Sequence, residues 1–137
     1  MSQTGKLRIA YFLEGMPASG VETSTSLTAH ALAKAGHAVT VFTPWVRSDR
    51  AARADDDDGR VEFFRLPRFR LPSDQEVYWS MPVSVSVTTK FGRAHYGVIH
   101  VHAPTVVCAL AWQLSRLFGV PVVYTYHTMS KEYTHYY

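Results

Sequence analysis

The chain has a single cysteine, Cys108, in 137 residues. One thiol excludes an intramolecular disulfide framework and fits a reducing compartment. No apolar run approaches the ~20 residues of a membrane span. Charge is also sparse: 14 Lys and Arg against 11 Asp and Glu leave a formal net charge of +3, too little to point to nucleic acid by itself. Eight glycines and seven prolines are too few for a fibrous chain, and 47% hydrophobic residues are too many for a disordered one. There is no G-x-G-x-x-G fingerprint and no G-K-[S/T] phosphate loop, which argues against a free-standing NAD or ATP site. The opening residues, MSQTGKLRIA, run straight into a strand-like segment, so no secretory leader is expected and the expected compartment is the cytoplasm. A single domain able to bury its own core remains.

What is present is an alternation of short apolar runs with helical patterns. Leu7 to Leu13 (LRIAYFL) reads as a strand buried on both faces. From Val21 to Ala35 the period becomes helical, with Val21, Leu27 (beside Ala31) and Leu32 (beside Ala35) returning to one side, and Gly36 closes the helix. Ala38 to Thr43 is a second strand, completing a βαβ unit whose crossover is expected to be right-handed. Val61 to Leu66 is a third strand. Between Pro67 and Tyr96 the signal is weak; Val83, Val85 and Val87 alternate with polar residues, which by periodicity predicts a strand. Val98 to His102 is a fourth strand and Thr105 to Phe118 a helix carrying Val106, Leu110, Leu114 and Leu117. After Gly119, Pro121 to Tyr126 is a fifth strand, and Thr128 to Tyr137 starts another helix. This alternation predicts an α/β fold, a Rossmann-like doubly wound parallel sheet of order 3-2-1-4-5. Ligands of such sheets bind outside the carboxyl ends of the strands, which selects the loops Glu14 to Gly20, His102 to Thr105, and His127 to Thr128.

Several constellations stand at or near those loops. PASGVETS (Pro17 to Ser24) turns from a strand into a helix, whose N-terminal N–H groups form an anion site that Gly20 leaves open to a phosphate. A tight turn that simply needs glycine explains it equally well. His100 and His102 lie two apart on a strand and face the same way, with His127 at the tip of the next strand and His135 two helical turns on. An H-x-H pair with a third imidazole is a metal-ligand pattern, yet no carboxylate stands nearby to orient the rings, and strand-end histidines also serve structural hydrogen bonds. No metal is expected, and His127 is the stronger functional candidate. In TYHTMSKEYTHYY, a helix from Thr128 puts Thr128, Glu132 and His135 on one face and Met129, Tyr133 and Tyr136 or Tyr137 on the other, a stripe suited to a core or to a ligand. Arg60, Arg65, Arg68 and Arg70 interleave with Phe63, Phe64 and Phe69, a strip that suits an anionic membrane surface or is merely solvated. Nucleic acid is not expected as a partner, and Asp55 to Asp58 reads as a solvated loop.

Three stretches, taken together, resemble the N-terminal half of a GT-B glycosyltransferase of the retaining family 4 type. KLRIAYFLEGMPASGVETSTSLTAHALAKAGHAVTVFTP is similar to the family's opening strand, glycine turn, first helix with its "GH" end, and second strand. YGVIHVHAP resembles its "DVVHxH" strand, with Gly97 where an Asp and Pro often precede. GVPVVYTYHTMSKEYTHYY resembles "GIPVVxTYHT…EYxHY", the form typical of glycolipid-making members, above all diacylglycerol glucosyltransferases.

The resemblance implies roles. Gly20 and Ser19 would meet the diphosphate of a nucleotide sugar, although Ser19 stands where the family tends to have Asn or Gly. His127 would contact the donor sugar and support the transition state. Glu14, His102, Thr128, Tyr133 and His135 would line the acceptor side. It also implies a helix over Pro82 to Ala94, against the valine alternation. The implied activity is transfer of a hexose, glucose from UDP-glucose, to a lipid acceptor such as diacylglycerol, with retention and without a cofactor or metal. The catalytic partner domain that holds most of the donor site is absent from these 137 residues, so the chain alone is expected to be inactive and peripheral to the inner face of a plasma membrane. A different reading is a non-catalytic α/β binding module, or a truncated product that acts only with a partner chain.

Overall fold

The computed structural model describes residues 5–13, 20–44, 61–70, 78–102 and 105–126. In chain order the elements are β1 (Arg8–Phe12), α1 (Gly20–Lys34), β2 (Ala38–Thr43), β3 (Val61–Arg65) and β4 (Arg68–Arg70). There follow β5 (Tyr78–Ser80), α2 (Val85–Ala94), β6 (Val98–Val101), α3 (Val106–Phe118) and β7 (Val122–Tyr124). Five strands form one parallel sheet in the order β3-β2-β1-β6-β7, and β4 pairs antiparallel with β5. Numbered among themselves, the five parallel strands stand in the expected order 3-2-1-4-5.

Side chains alternate across a strand, and so the sheet has two apolar faces. Ile9, Tyr11, Val39, Val41 and Val61 meet Ala29 and Ala33 of α1 on one face. Ala10, Phe12, Phe42, Ile99 and Val101 meet Val87 and Phe91 of α2 and Val107, Leu110, Ala111 and Leu114 of α3 on the other. Phe12 stacks on Phe42 with centroids 4.7 Å apart and planes 5° from parallel. Phe91 lies 4.8 Å from the Tyr96 ring and 5.3 Å from that of Phe118, joining α2 to the sheet and to α3.

The βαβ unit ends as its sequence predicts. Gly36 sits at φ 98°, its N–H donating to Ala33 and that of His37 to Leu32. This paired closure satisfies the last carbonyls and needs a residue tolerant of positive φ. His37 has a second use: its Nδ1 accepts the Leu7 N–H at 3.1 Å, pinning the chain that leads into β1.

Three sequence expectations give way. Leu27 is 69% exposed, and α1 turns Thr25, Ala29 and Ala33 to the sheet instead. Small residues let the helix lie close, and the 3.6-residue period admits that face as well as the leucine one. The alternating valines are not a strand: Ser84 accepts the Val87 N–H at 3.3 Å as an N-cap, and Val87 and Phe91, one turn apart, are the buried pair of α2. The helix implied by the resemblance is the one observed. Leu117 is 65% exposed, since α3 buries Val107, Leu110, Ala111 and Leu114. β7, the fifth parallel strand, lies at the sheet's edge, where the expected order puts it, with Val123 49% exposed.

Candidate functional site

Parallel strands send all their carboxyl ends to one edge of the sheet. At β1 the chain departs to α1 on one face; at β6 it departs to α3 on the other. β1 and β6 are neighbours, so the winding reverses between them and opens a crevice at their carboxyl ends. Backbone bonds hold this edge in line: Leu13 N–H to Phe42 O at 3.0 Å, His102 N–H to Phe12 O at 3.1 Å, and Thr125 N–H to Val101 O at 3.0 Å. The loops selected from sequence thus leave from β1, β6 and β7, three adjacent strands.

Gly20 is the first residue of α1, so the N–H groups of that helix end start at the position read as a phosphate contact. His102 follows β6 and is buried, 6% exposed. Glu14, Ser19, His127, Thr128, Tyr133 and His135 lie outside the described residues, as do the Asp55–Asp58 run and the proposed terminal helix.

Around His102 lies a cluster that sequence reading did not assemble. Register places Tyr11 opposite His100, on the α1 side of the sheet. The Tyr11 ring meets His100 edge-on at 5.0 Å and His102 at 4.8 Å, while the two imidazoles lie 4.1 Å apart at 32°. His100 Nε2 and Thr125 Oγ1 share a hydrogen bond of 2.6 Å across to the β7 side. Burial pushes the Tyr11 phenol above its ordinary range, so it stays neutral at physiological pH. The H-x-H spacing announced His100 and His102; their contact with Tyr11 depends on strand order and could not be read locally.

Two hydroxyls were also missed. Thr25 Oγ1 on α1 and Thr105 Oγ1 at the N-cap of α3 are buried without a hydrogen-bond partner among the described residues. Buried hydroxyls are normally paired, and Thr105 stands in one of the loops selected from sequence. In the arginine strip, Arg65 is exposed, whereas Arg68 is half-buried and donates to the Pro44 carbonyl at 3.1 Å. Among the described residues, no three His, Cys, Asp or Glu side chains gather as metal ligands, and no helix is long and apolar enough to cross a membrane.

A family model described as Glycosyltransferase Family 4 matches residues 18–137. An alpha-monoglucosyldiacylglycerol synthase of Streptococcus pneumoniae is 26% identical over 118 residues, covering 86% of this chain and 25% of that protein. A synthase of the same description from Acholeplasma laidlawii is 29% identical over 133 residues, covering 95% and 32%. A D-inositol 3-phosphate glycosyltransferase of an Arthrobacter species is 32% identical over 119 residues, covering 83% and 28%. The chain therefore spans about a quarter to a third of the length of these relatives. Among solved structures, a glycosyltransferase from Rickettsia africae superposes with a TM-score of 0.61 at 13% identity, over 96% of this chain and 33% of that one, a likeness of fold.

Proposed function

Because the chain belongs to glycosyltransferase family 4, we propose that it forms the acceptor-binding half of an enzyme that transfers glucose from UDP-glucose to a lipid of the diacylglycerol type, with retention. The observation that carries this reading is the switch-point crevice, with Gly20 at the head of α1 and His102 at the end of the neighbouring β6. The likeness to two alpha-monoglucosyldiacylglycerol synthases supports the lipid acceptor.

In this reading the N–H groups at Gly20, with Ser19, meet the donor diphosphate. His127 donates to the sugar and stabilises charge as the phosphate leaves. Preorganised donors of this kind act where charge develops and need no metal. Glu14, His102, Thr128, Tyr133 and His135 line the acceptor side. A second lobe, for which the greater length of the relatives leaves room, holds most of the nucleotide, so these 137 residues alone turn nothing over. The exposed Arg65 and Phe69 face an anionic bilayer in which the acceptor resides.

Calorimetry of the 137-residue chain with UDP-glucose is expected to show no tight binding; affinity equal to that of an intact two-lobed enzyme overturns the division of labour. Fused to the donor lobe of the Acholeplasma laidlawii relative, the chain is expected to place labelled glucose on diacylglycerol in anionic vesicles. Label on inositol 3-phosphate and none on lipid overturns the acceptor. In the same fusion, His127→Ala should lower kcat by roughly 10²–10³-fold, the usual cost of one transition-state donor.

A further inference from the structure

VIHVH, the segment that carries β6, is an apolar strand interrupted by polar rings, and the first of these, His100, has no role in the reading above. A valine would pack there without the cost of burying a polar ring. Instead its imidazole is engaged on three sides. It shares the 2.6 Å hydrogen bond with Thr125 Oγ1, lies 4.1 Å from the His102 ring, and meets the Tyr11 ring in a T-shaped contact at 5.0 Å. Tyr11, 1% exposed, also meets His102, so the same phenol backs both imidazoles from β1. The side chains of three adjacent strand ends are thereby cross-braced at the edge of the crevice. β7 needs the brace most. It is a three-residue edge strand bonded on one side, and its backbone continues through Thr125 toward His127.

We propose that His100 is a positioning residue: its bond to Thr125 and its tilted ring contact with His102 lock the carboxyl ends of β6 and β7 together and set the orientation of the His102 imidazole at the crevice. The functional meaning of that lock rests on the crevice being a glycosyl-transfer site. The lock itself does not, so it is tested without substrate.

The experiment is ¹⁵N and ¹H NMR of the histidine rings in the 137-residue chain, for the unmodified sequence, Thr125→Val, Thr125→Ser and His100→Leu. Thr125→Val keeps the shape and the strand preference of the residue but cannot hydrogen-bond, whereas Thr125→Ser keeps the hydroxyl. The expected result is that Thr125→Val shifts the His102 ring signals toward those of a mixed tautomer and broadens them. Thr125→Ser should return them to their original positions, and His100→Leu should produce the larger shift. Amide spectra and the unfolding midpoint verify that each variant is folded. His102 signals unmoved in folded Thr125→Val, or signals that Thr125→Ser fails to restore, overturn the proposal. An unfolded Thr125→Val alongside a folded, unshifted His100→Leu overturns it too, because the bond would then hold the fold and not the ring. Absence of glucosyl transfer would count against the proposed function and leave this result untouched.

Discussion

Tyr96 carries its hydroxyl against the sheet, where it donates to Thr40 Oγ1 at 2.9 Å; Thr40 donates to Glu62, whose other oxygen pairs with Lys90. Burial pushes the Tyr96 phenol above its ordinary value of 10.0, with the Thr40 bond opposing the rise. The hydrogen bond that Lys90 donates to the Glu62 carboxylate holds its ammonium above the ordinary value, but both side chains are partly solvated, so that pair contributes little. In each case the folded chain binds its proton more tightly than the unfolded one. The stabilisation is therefore complete below the unfolded value and is lost as pH rises through the folded one. Denaturant titrations are expected to show a stability that begins to fall near pH 10 and continues above it. Tyr96→Phe removes one hydrogen bond, at a cost of about 1 kcal/mol, and should make that alkaline fall shallower. An alkaline slope unaltered by the substitution would place its source elsewhere. At this same scale, Gly36 was legible in the sequence, since a helix stop at positive φ is a local demand. Tyr11 was not, since a buried phenol beside two imidazoles exists only once β1 and β6 are paired.

Helix faces show why periodicity underdetermines an element. Both the Leu27 side and the Thr25–Ala29–Ala33 side of α1 repeat at helical spacing, and greasiness favours the wrong one. The choice is steric, because the helix must reach a sheet whose facing residues, Tyr11, Val39 and Val41, already fill the layer. Leu27→Glu is accordingly expected to change the unfolding free energy by no more than about 0.5 kcal/mol. Ala29→Leu, overfilling the contact, should cost about 1–3 kcal/mol. Chemical denaturation of the two variants side by side checks this, and a costly Leu27→Glu would refute the assigned face. For α2 the competing patterns were the valine alternation and the implied helix. The Ser84 cap and the Val87–Phe91 spacing decide for the helix, because the alternation leaves Val83 and Val85 exposed with nothing to pack on.

Across the whole molecule, Phe91 is the residue through which α2 holds to both the sheet and α3, with Tyr96 and Phe118 on either side and the Phe12–Phe42 stack beneath. Phe91→Ala should cost about 3–5 kcal/mol, a large share of the stability of a domain this size. A loss under about 1 kcal/mol by thermal or urea unfolding would show that the two helices dock independently of it. The alternation of strands and helices, the glycine stop of α1 and the winding order were all legible in the sequence. The first two follow from rules that act within about ten residues, period and positive φ, and the order follows from the succession of elements along the chain. Only the tertiary structure shows which helix faces are buried and that Tyr11, His100, His102 and Thr125 form one cluster. His100 and Thr125 are 25 residues apart in the chain, and only the register of neighbouring strands makes them partners.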